Sequence, residues 1–342
     1  MTEPLECLAG IDWPAGLTSH AALEEWTLHA PFIIARGRQD EITVATVELK
    51  AGGKTGRGES CPVEHYGETP QSVLGQITEM LSRLEAGERW VDIHDELPAG
   101  AARNAVDCAV WDLAAKLSGK SVTELVGMPE LEPVFTVYTL SVGTPDSMAK
   151  AAIAANAHSR LKVKLGGDGQ DAARIRAIRA AVPDMPLIVD VNEYWSREML
   201  LENLPVMAEC GIQMLEQPLK AGDDAELEGI DHLVPIGADE SVHVTSDLTR
   251  ISSWYDVVNI KLDKTGGLTE ALRLKNAAIS DGKLTMVGCM LGTSLAMAPA
   301  HVIAQGCAFV DIDAPLLVGK DREFGMVYEA SRVSPPVPEL WG

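Results

Sequence analysis

From Pro133 onward, short apolar runs alternate with segments of helical periodicity. The runs recur about every 20–26 residues, which is the distance that a strand and a covering helix require. There are eight of them, at residues 135–142, 161–165, 187–191, 212–215, 234–238, 257–262, 284–287 and 308–312. Near-continuous apolar strands are typical of a parallel sheet that is covered on both faces. Eight such units predict a closed (β/α)8-type barrel, a modified TIM barrel of the α/β class.

The segments between these runs carry apolar residues at helical spacing. They comprise residues 146–157, 170–181, 197–209, 223–233, 245–253, 268–279 and 294–303. An open, doubly wound sheet is the alternative arrangement of repeated βα units, but such a sheet usually brings a GxGxxG fingerprint after a strand. The glycine-rich stretch 166–169 lacks that spacing, so the barrel is favoured.

The first 125 residues show a different pattern. Residues 42–49 alternate between apolar and polar side chains as a strand does, Gly52-Gly53 indicates a hairpin turn, and residues 56–59 begin the return strand. Two helices are predicted after this hairpin, one starting at Pro70 and one over residues 101–117. We therefore predict an α+β unit over residues 1–125, followed by the barrel over residues 126–315.

Composition limits the possible partners and the compartment. The 342 residues include 50 acidic and 28 basic side chains, a net charge of −22, which argues against nucleic acid and against an anionic membrane surface as partners.

The six cysteines are scattered and form no CxxC pair, as expected for reduced thiols in the cytoplasm. Residues 1–6 are acidic and lack an apolar core, so no secretory signal is predicted, and no apolar run is long enough to span a bilayer.

Charged side chains stand at the ends of most barrel strands, where active sites of such barrels are found. Asp190, Glu216 and Asp239 end three successive strands, and lysines end the strands on either side of them. Three carboxylates at one barrel mouth would repel each other unless a cation neutralised them. Oxygen ligands select a hard divalent ion, and Mg²⁺ is expected because it needs few protein carboxylates.

Each of these residues also has a simpler interpretation. Asp190 taken alone could cap the next helix. Lys162 and Lys164 alternate with aliphatic residues and so share one face of a strand, which is also seen in exposed edge strands. The combined pattern over five successive strands decides in favour of a site.

That combination resembles the enolase superfamily, in its muconate-lactonizing-enzyme-like subgroup. The matching motifs are Lys-Val-Lys at 162–164, Asp-Val-Asn at 190–192, Leu-Glu-Gln-Pro at 215–218, Gly-Ala-Asp-Glu-Ser at 237–241 and Asn-Ile-Lys at 259–261. Gly58-Glu59 and residues 101–107 match the N-terminal capping domain of that family. The resemblance thus covers nearly the whole chain, and it implies that residues 316–342 pack back on the capping domain.

Roles follow from this resemblance. It implies that Asp190, Glu216 and Asp239 bind one Mg²⁺ per subunit and that Lys164 and Lys261 are acid/base catalysts on opposite faces of the substrate. Lys162 would lie beside the substrate carboxylate. A free lysine is protonated at neutral pH, so a nearby cation such as Lys162 or the metal is needed to lower the pKa of Lys164.

The substrate is suggested by residues near the predicted mouth. Asp311 and Asp313 end the eighth strand and, unless they are only a helix cap, suit an α-ammonium group. Arg36 or Arg38 of the capping domain could hold a distal carboxylate. Cys289 and Met290 are expected to line the pocket. These features resemble the dipeptide epimerases of the family, of the L-Ala-D/L-Glu type that acts on murein peptides.

We therefore predict a Mg²⁺-dependent isomerase that epimerises the C-terminal residue of a dipeptide by 1,1-proton transfer through an enediolate. A small dipeptide substrate and a homo-oligomer are expected. The alternatives are a lyase on the same scaffold, such as an o-succinylbenzoate synthase or a cycloisomerase, and a Schiff-base lysine aldolase that needs no metal. A non-catalytic metal-binding scaffold is disfavoured, because lysines beside the metal would weaken cation binding without benefit.

Overall fold

A long antiparallel hairpin dominates the N-terminal part of the computed structural model, which describes residues 3–342. Strands β1 (Thr18–Ile34), β2 (Gly37–Ala51) and β3 (Lys54–Ser60) form a three-stranded sheet in that order. Five helices belong to the same unit, namely α1 (Pro4–Ala9), α2 (Pro70–Glu85), α3 (Trp90–Ile93), α4 (Ala101–Ser118) and α5 (Val122–Val126). The predicted hairpin, the two predicted helices and the α+β class of this unit are confirmed.

Helix α4 lies directly against β3. A Cβ atom at Gly58 would overlap the carbonyl oxygen of Ala105, so only glycine allows the two backbones to approach this closely. All residues of α4 from Ala101 to Ala115 are buried, which places this helix between the sheet and the barrel.

Eight parallel strands follow in the order of the sequence. After β4 (Val134–Phe135) these are β5 (Tyr138–Leu140), β6 (Leu161–Lys164), β7 (Leu187–Asp190), β8 (Ile212–Glu216), β9 (Ile236–Ala238), β10 (Val257–Ile260), β11 (Leu284–Val287) and β12 (Phe309–Val310). The backbone N–H of Val137, just before β5, donates to Val310 O at 2.9 Å, so the first and last strands also meet. The predicted barrel is confirmed, and the open doubly wound sheet is wrong.

Helices cover the outside of this ring. They are α6 (Pro145–Ala154), α7 (Asp171–Ala181), α8 (Arg197–Glu209), α9 (Leu248–Ile251), α10 (Leu262–Thr265), α11 (Leu268–Ser280) and α12 (Ser294–Ala304). The helix predicted over residues 223–233 is wrong, because only a 3₁₀ turn, Asp224–Leu227, forms there. Gly229 at φ +74° turns the chain out of helical geometry shortly after this turn.

One layer of apolar side chains fills the barrel interior and determines which residues face the mouth. The layer consists of Val137, Ile188, Met214, Val257, Met286 and Phe309. Because side chains alternate along a strand, residues two positions further on share the same face. On β7, β8 and β10 these residues are Asp190, Glu216 and Asn259. The interior face therefore becomes polar at the carboxyl ends of the strands.

The C-terminal segment contacts both parts of the chain. Strands β13 (Tyr328–Glu329) and β14 (Arg332–Val333) form a small antiparallel sheet with β4. Further along, Trp341 Nε1 donates to Cys108 O of α4 at 3.0 Å. The six cysteines are unpaired thiols. Among residues 3–342, no helix combines the length and the apolar character needed to cross a membrane.

Candidate active site

Three carboxylates meet at the mouth of the barrel. Asp190 ends β7 and pairs in register with Glu216, which ends β8, while Asp239 follows β9 directly. Their ligand oxygens all lie within 4.8 Å of one another, and all three residues are buried. The strand ends are level because the register runs from Lys164 through Asp190 to Glu216. The structure thus brings together the three acidic residues singled out in the sequence.

Two lysines flank this carboxylate group. Lys164 Nζ donates to Asp190 Oδ2 at 2.5 Å, and Lys261 Nζ donates to Asp239 Oδ2 at 2.6 Å. Lys164 lies on β6 and Lys261 follows β10, four places apart in a ring of eight strands. Strands four places apart in such a ring lie on opposite sides of the barrel, so the two ammonium groups approach the mouth from opposite directions.

Lys162 lies at the centre of the mouth. Its Nζ is 2.7 Å from Asp311 Oδ2, 2.7 Å from Glu216 Oε2 and 3.1 Å from Asp190 Oδ2. Strand β6 lies between β5 and β7, so the interpretation of its two lysines as edge-strand residues is wrong. Lys162 starts one layer below Lys164, opposite Ile188, and reaches upward with its long side chain.

Two further polar residues of the mouth, Lys264 and Asn259, were assigned no role from the sequence. Lys264 is buried and donates to Asp239 Oδ1 at 2.7 Å and to the carbonyl oxygen of Asn259 at 3.0 Å. Asn259 Nδ2 donates to Glu216 Oε1 at 2.7 Å. The spacing of Lys261 and Lys264 was the available clue, since residues three apart share one face of a helical turn.

The charges of the three carboxyl groups are unequal. Burial would raise the pKa of Asp190, but Lys164 and Lys162 outweigh it and hold that pKa below its ordinary value. The pKa of Asp239 is likewise lowered, against its burial, by Lys261 and Lys264. Burial and Asp190 together raise the pKa of Glu216 to about 8. Of the three carboxyl groups, Glu216 is therefore the one whose negative charge is least compensated by nearby lysines.

Glu216 is also the group that fits a metal ion best. Its Oε2 has no hydrogen-bond donor among the described residues, because Lys162 Nζ approaches it without hydrogen-bond geometry. A buried carboxylate oxygen without a donor is costly unless a cation or proton compensates it, and the Lys162 ammonium near it is shared with Asp190 and Asp311. Three clustered carboxylates with such an oxygen are suitable ligands for a small, hard divalent cation.

The two arginines proposed from the sequence differ in position. Arg36 Nη2 donates to Glu240 Oε1 at 2.6 Å, and its Nη1 donates to Glu193 Oε2 at 3.0 Å. Both glutamates lie in loops at the barrel mouth, and neither was assigned a role from the sequence. Arg38 is paired with Asp40 at 2.7 Å, and its side chain is 58% exposed. The structure therefore brings Arg36 to the mouth and leaves Arg38 on the outside of the hairpin.

Residues after β12 and β11 complete the mouth. The carboxylate oxygens of Asp311 and Asp313 and the sulfur of Cys289 lie within 4.8 Å of one another. Asp313 accepts a hydrogen bond from Thr139 N at 2.7 Å, and burial together with Asp311 raises the pKa of Asp313 to about 7. Cys289 and the adjacent Met290 are half-buried. Asp311 alone of the two aspartates is paired with a lysine here.

Two families match this chain. Residues 146–320 match the family described as enolase C-terminal domain-like. Residues 18–127 match the N-terminal domain of the mandelate racemase and muconate lactonizing enzyme family. Together these two segments include both the carboxylate and lysine residues of the barrel and the unit that carries Arg36.

Two relatives are similar over most of the chain. An L-Ala-D/L-Glu epimerase from Escherichia coli is 47% identical over 302 residues, which are 88% of this chain and 94% of that protein. An N-acetyl-D-glutamate racemase from a Pseudoalteromonas species is 42% identical over 294 residues, which are 84% of this chain and 91% of that protein.

Solved structures show the same likeness. An enolase family member from Agrobacterium tumefaciens with homology to dipeptide epimerases, bound to sodium and L-Ala-L-Glu, has a TM-score of 0.92 and 46% identity over 95% of this chain and 100% of that one. A dipeptide epimerase from Enterococcus faecalis, complexed with Mg and L-Leu-L-Tyr, has a TM-score of 0.87 and 29% identity over 95% and 97% of the two chains. The chain therefore belongs to the enolase superfamily, in its mandelate racemase and muconate lactonizing enzyme branch.

Proposed function

We propose that this protein is a Mg²⁺-dependent dipeptide epimerase of the L-Ala-D/L-Glu type. The observation that carries the proposal is the placement of Lys164 and Lys261 on opposite sides of one carboxylate group. A single base would suffice for a lyase, whereas inversion at a carbon is served by a proton acceptor on one face and a proton donor on the other. The relatives include proteins named as an epimerase and as a racemase, and both names denote inversion at a carbon.

The proposed reaction removes a proton from one face of the α-carbon and adds a proton to the opposite face. A neutral lysine takes the α-proton of the C-terminal residue, and the electron pair of the broken C–H bond passes into the enediolate of the substrate. The lysine on the other side, as an ammonium, then gives its proton to the opposite face of the α-carbon. Asp190, Glu216 and Asp239 would hold Mg²⁺, which when bound supplies positive charge against the charge developing on the substrate oxygens.

One lysine must be neutral before it can act as a base. Burial would lower the pKa of Lys261, but Asp239 and Glu216 outweigh it and raise that pKa in the structure. Their charge has to be compensated elsewhere before Lys261 loses its proton readily, and a cation held by the same carboxylates has that effect. Lys164 donates to Asp190 as Lys261 donates to Asp239, so each of the two lysines contacts one of the proposed metal ligands.

The remaining residues of the mouth suit a dipeptide with an acidic side chain. Asp311 would accept the α-ammonium group in place of Lys162, which would turn to the substrate carboxylate. Asp313 lies next to Asp311, and Cys289 and Met290 would line the pocket. Arg36 would hold the distal carboxylate of a glutamate residue, because it lies at the mouth and its Nε–H forms no hydrogen bond within residues 3–342.

Deuterium exchange tests this function. We expect the enzyme with Mg²⁺, incubated with L-Ala-L-Glu in D₂O, to incorporate deuterium at the glutamate α-carbon while L-Ala-D-Glu accumulates. Both are measured by NMR and chiral chromatography. Absence of deuterium at that carbon would reject the epimerase and leave the lyase alternative. Activity that survives removal of divalent metal would instead support the Schiff-base aldolase.

A second candidate is racemisation of an N-acylated glutamate. It is favoured by the pairing of Asp311 with Lys162 and of Asp313 with Thr139, which leaves the two aspartates less available to an ammonium group. The relative from Pseudoalteromonas carries such an activity in its name. Comparing kcat/KM for L-Ala-L-Glu and N-acetyl-L-glutamate decides between the two candidates.

We further propose a cytoplasmic role in the metabolism of murein peptides, a homo-oligomeric state, and domain boundaries near residues 125 and 315. The dipeptide chemistry of the relatives and the six unpaired cysteines support the first of these. Light scattering of the purified protein tests the homo-oligomeric state. Limited proteolysis tests the boundaries, with cleavage expected first in the connection around residues 127–133.

A further inference from the structure

Helix α4 forms several hydrogen bonds with the barrel segment 262–269, which directly follows Lys261. Arg103 Nη2 donates to Thr265 O at 2.7 Å, and this arginine is buried. One helical turn further along, Asp107 accepts hydrogen bonds from the backbone N–H and the hydroxyl of Thr269, at 2.8 and 2.7 Å. Residues 101–107 are the stretch that resembles the capping domain of the family, and the proposed reaction assigns them no role.

Two glycines make this contact possible. A Cβ atom at Gly266 would overlap the guanidinium of Arg103, and one at Gly267 would overlap the carboxylate of Asp107. Both glycines also have positive φ, +73° and +112°. The segment is therefore shaped to receive the side chains of α4, since a residue with a side chain would push the helix away.

Asp263 is the central contact of this segment. Its Oδ1 accepts hydrogen bonds from Asn104 Nδ2 of α4 and from Cys61 N beyond β3, both at 2.9 Å. Asp263 is buried and forms no ion pair among residues 3–342. A buried carboxyl group without a cation costs stability. Its presence at this place therefore calls for a reason other than stability.

The backbone connects Asp263 to Lys261. Asp263 lies in α10, a single turn that begins directly after Lys261. The N–H groups of Lys264 and Thr265 both donate to Lys261 O, at 3.0 and 2.9 Å. A shift of this turn would therefore move the backbone from which the Lys261 side chain extends. Lys164, in contrast, forms no hydrogen bond to the N-terminal unit within the described chain.

We propose that Asp263 is a positioning residue for Lys261. The N-terminal unit, through Asn104 and the backbone of Cys61, holds Asp263 and with it the turn that aims Lys261 at the α-carbon. The N-terminal unit would thus take part in one of the two proton transfers and not only in covering the substrate. This inference rests on the proposed two-lysine function. Displacement of a reacting group by about 1 Å can cost roughly 100-fold in rate, so a modest shift would be measurable.

The test separates the two proton transfers. Wash-out of the α-hydrogen into D₂O is measured in single turnovers for L-Ala-L-Glu and for L-Ala-D-Glu, with Mg²⁺ present. Lys164→Ala and Lys261→Ala first identify which epimer each lysine serves. We expect Asp263→Ala to slow exchange of the epimer that Lys261 serves by about 10- to 100-fold. Exchange of the other epimer should stay near the wild-type rate.

Two variants control for a general loss of stability or folding. Asp263→Asn keeps an Oδ1 acceptor for Asn104 and should restore most of the lost exchange. Asp112→Ala removes a buried carboxyl group of α4 that contacts Arg57 N, Lys116 and Gly342 N and does not contact the segment 262–269. It should lower stability without changing the ratio of the two exchange rates. If Asp263→Ala does not fold, Asn104→Ala is measured in the same way.

The outcomes are distinguishable. Equal loss for both epimers, an unchanged ratio, or the same asymmetry in Asp112→Ala would overturn the role of Asp263. If the wild-type protein exchanges neither epimer, the proposed function itself is wrong. If it exchanges both and the variants leave the ratio unchanged, only the positioning role is lost.

Discussion

Lys162 and Asp311 form an ion pair at the barrel mouth, with Lys162 Nζ 2.7 Å from Asp311 Oδ2. Their strands, β6 and β12, are separated in the ring by β5 alone. Burial lowers the pKa of Lys162, but Asp311, Glu216 and Asp190 outweigh it and raise that pKa well above its ordinary value. Lys162 therefore remains an ammonium, and a substrate ammonium would have to displace it from Asp311.

Replacing Asp311 tests this exchange of partners. Asp311→Asn should weaken the binding of L-Ala-L-Glu by about 10- to 100-fold, because a hydrogen bond to a charged group contributes roughly 1.5–3 kcal/mol. N-acetyl-L-glutamate has no ammonium group and should lose much less. Inhibition constants of both compounds, measured by competition, give the comparison. Equal losses for the two compounds would exclude an ammonium-binding role for Asp311.

The two arginines of the hairpin offer a matched pair. Arg36→Met should lower kcat/KM for L-Ala-L-Glu by about 10- to 100-fold through loss of charge-assisted hydrogen bonds, and should affect the neutral L-Ala-L-Gln less. Arg38→Met removes the same charge from a position that is paired with the exposed Asp40 and should change neither value. A similar loss in both variants would point to long-range charge and not to contact with the substrate.

Metal binding should be visible without turnover. Mg²⁺ at about 100 times its dissociation constant should stabilise the folded protein by about 2.7 kcal/mol, measured by urea denaturation against EDTA. Glu216→Gln keeps the acceptor for Asn259 but loses the charge, and its stability in EDTA should increase little when Mg²⁺ is added. A Glu216→Gln protein that responds to Mg²⁺ as the wild type does would contradict the assignment of this ligand.

His301 should make stability depend on pH. It is buried in α12, and burial lowers its pKa to about 4. Between pH 6.5 and 4 the unfolded chain binds a proton at His301 that the folded chain does not bind. The contribution of His301 to the free energy of unfolding is therefore complete above pH 6.5 and is lost as the pH falls. The loss for this group is on the order of 2–3 kcal/mol near pH 4.5.

A variant isolates this contribution from the titration of the many carboxylates. The free energy of unfolding of wild type and His301→Gln, measured between pH 4.5 and 7.5, should converge toward low pH. Parallel curves for the two proteins would show that His301 is not the group responsible.

Sequence periodicity was sufficient to place Asp190, Glu216 and Asp239. Each follows an apolar run, and parallel strands of similar length bring their carboxyl ends to one edge of a barrel. The same reasoning placed Lys164 and Lys261 on strands at either side of these residues, and the structure brings all five together. Only local patterns and a general rule of barrel geometry are needed for such a prediction.

Local sequence patterns did not predict which distant parts of the chain contact each other. Arg36 and Arg38 are equivalent in sequence, yet only Arg36 meets Glu193 and Glu240 at the mouth. Residues 223–233 show helical spacing, but Gly229 and the short path to β9 leave only a 3₁₀ turn. Lys264 was missed because its partner, Asp239, lies 25 residues away in the sequence.

The sequence by itself thus determined the repeated strand and helix units, the barrel they close, and the charged residues at its mouth, because these depend on spacing along the chain. Only the tertiary structure decided which donor meets each carboxylate and how α4 holds the segment that follows Lys261. Such pairings depend on distances of a few ångströms between residues such as Asn104 and Asp263, which are 159 positions apart. Hydrogen bonds and ion pairs weaken steeply with distance, so periodicity along a chain cannot specify them.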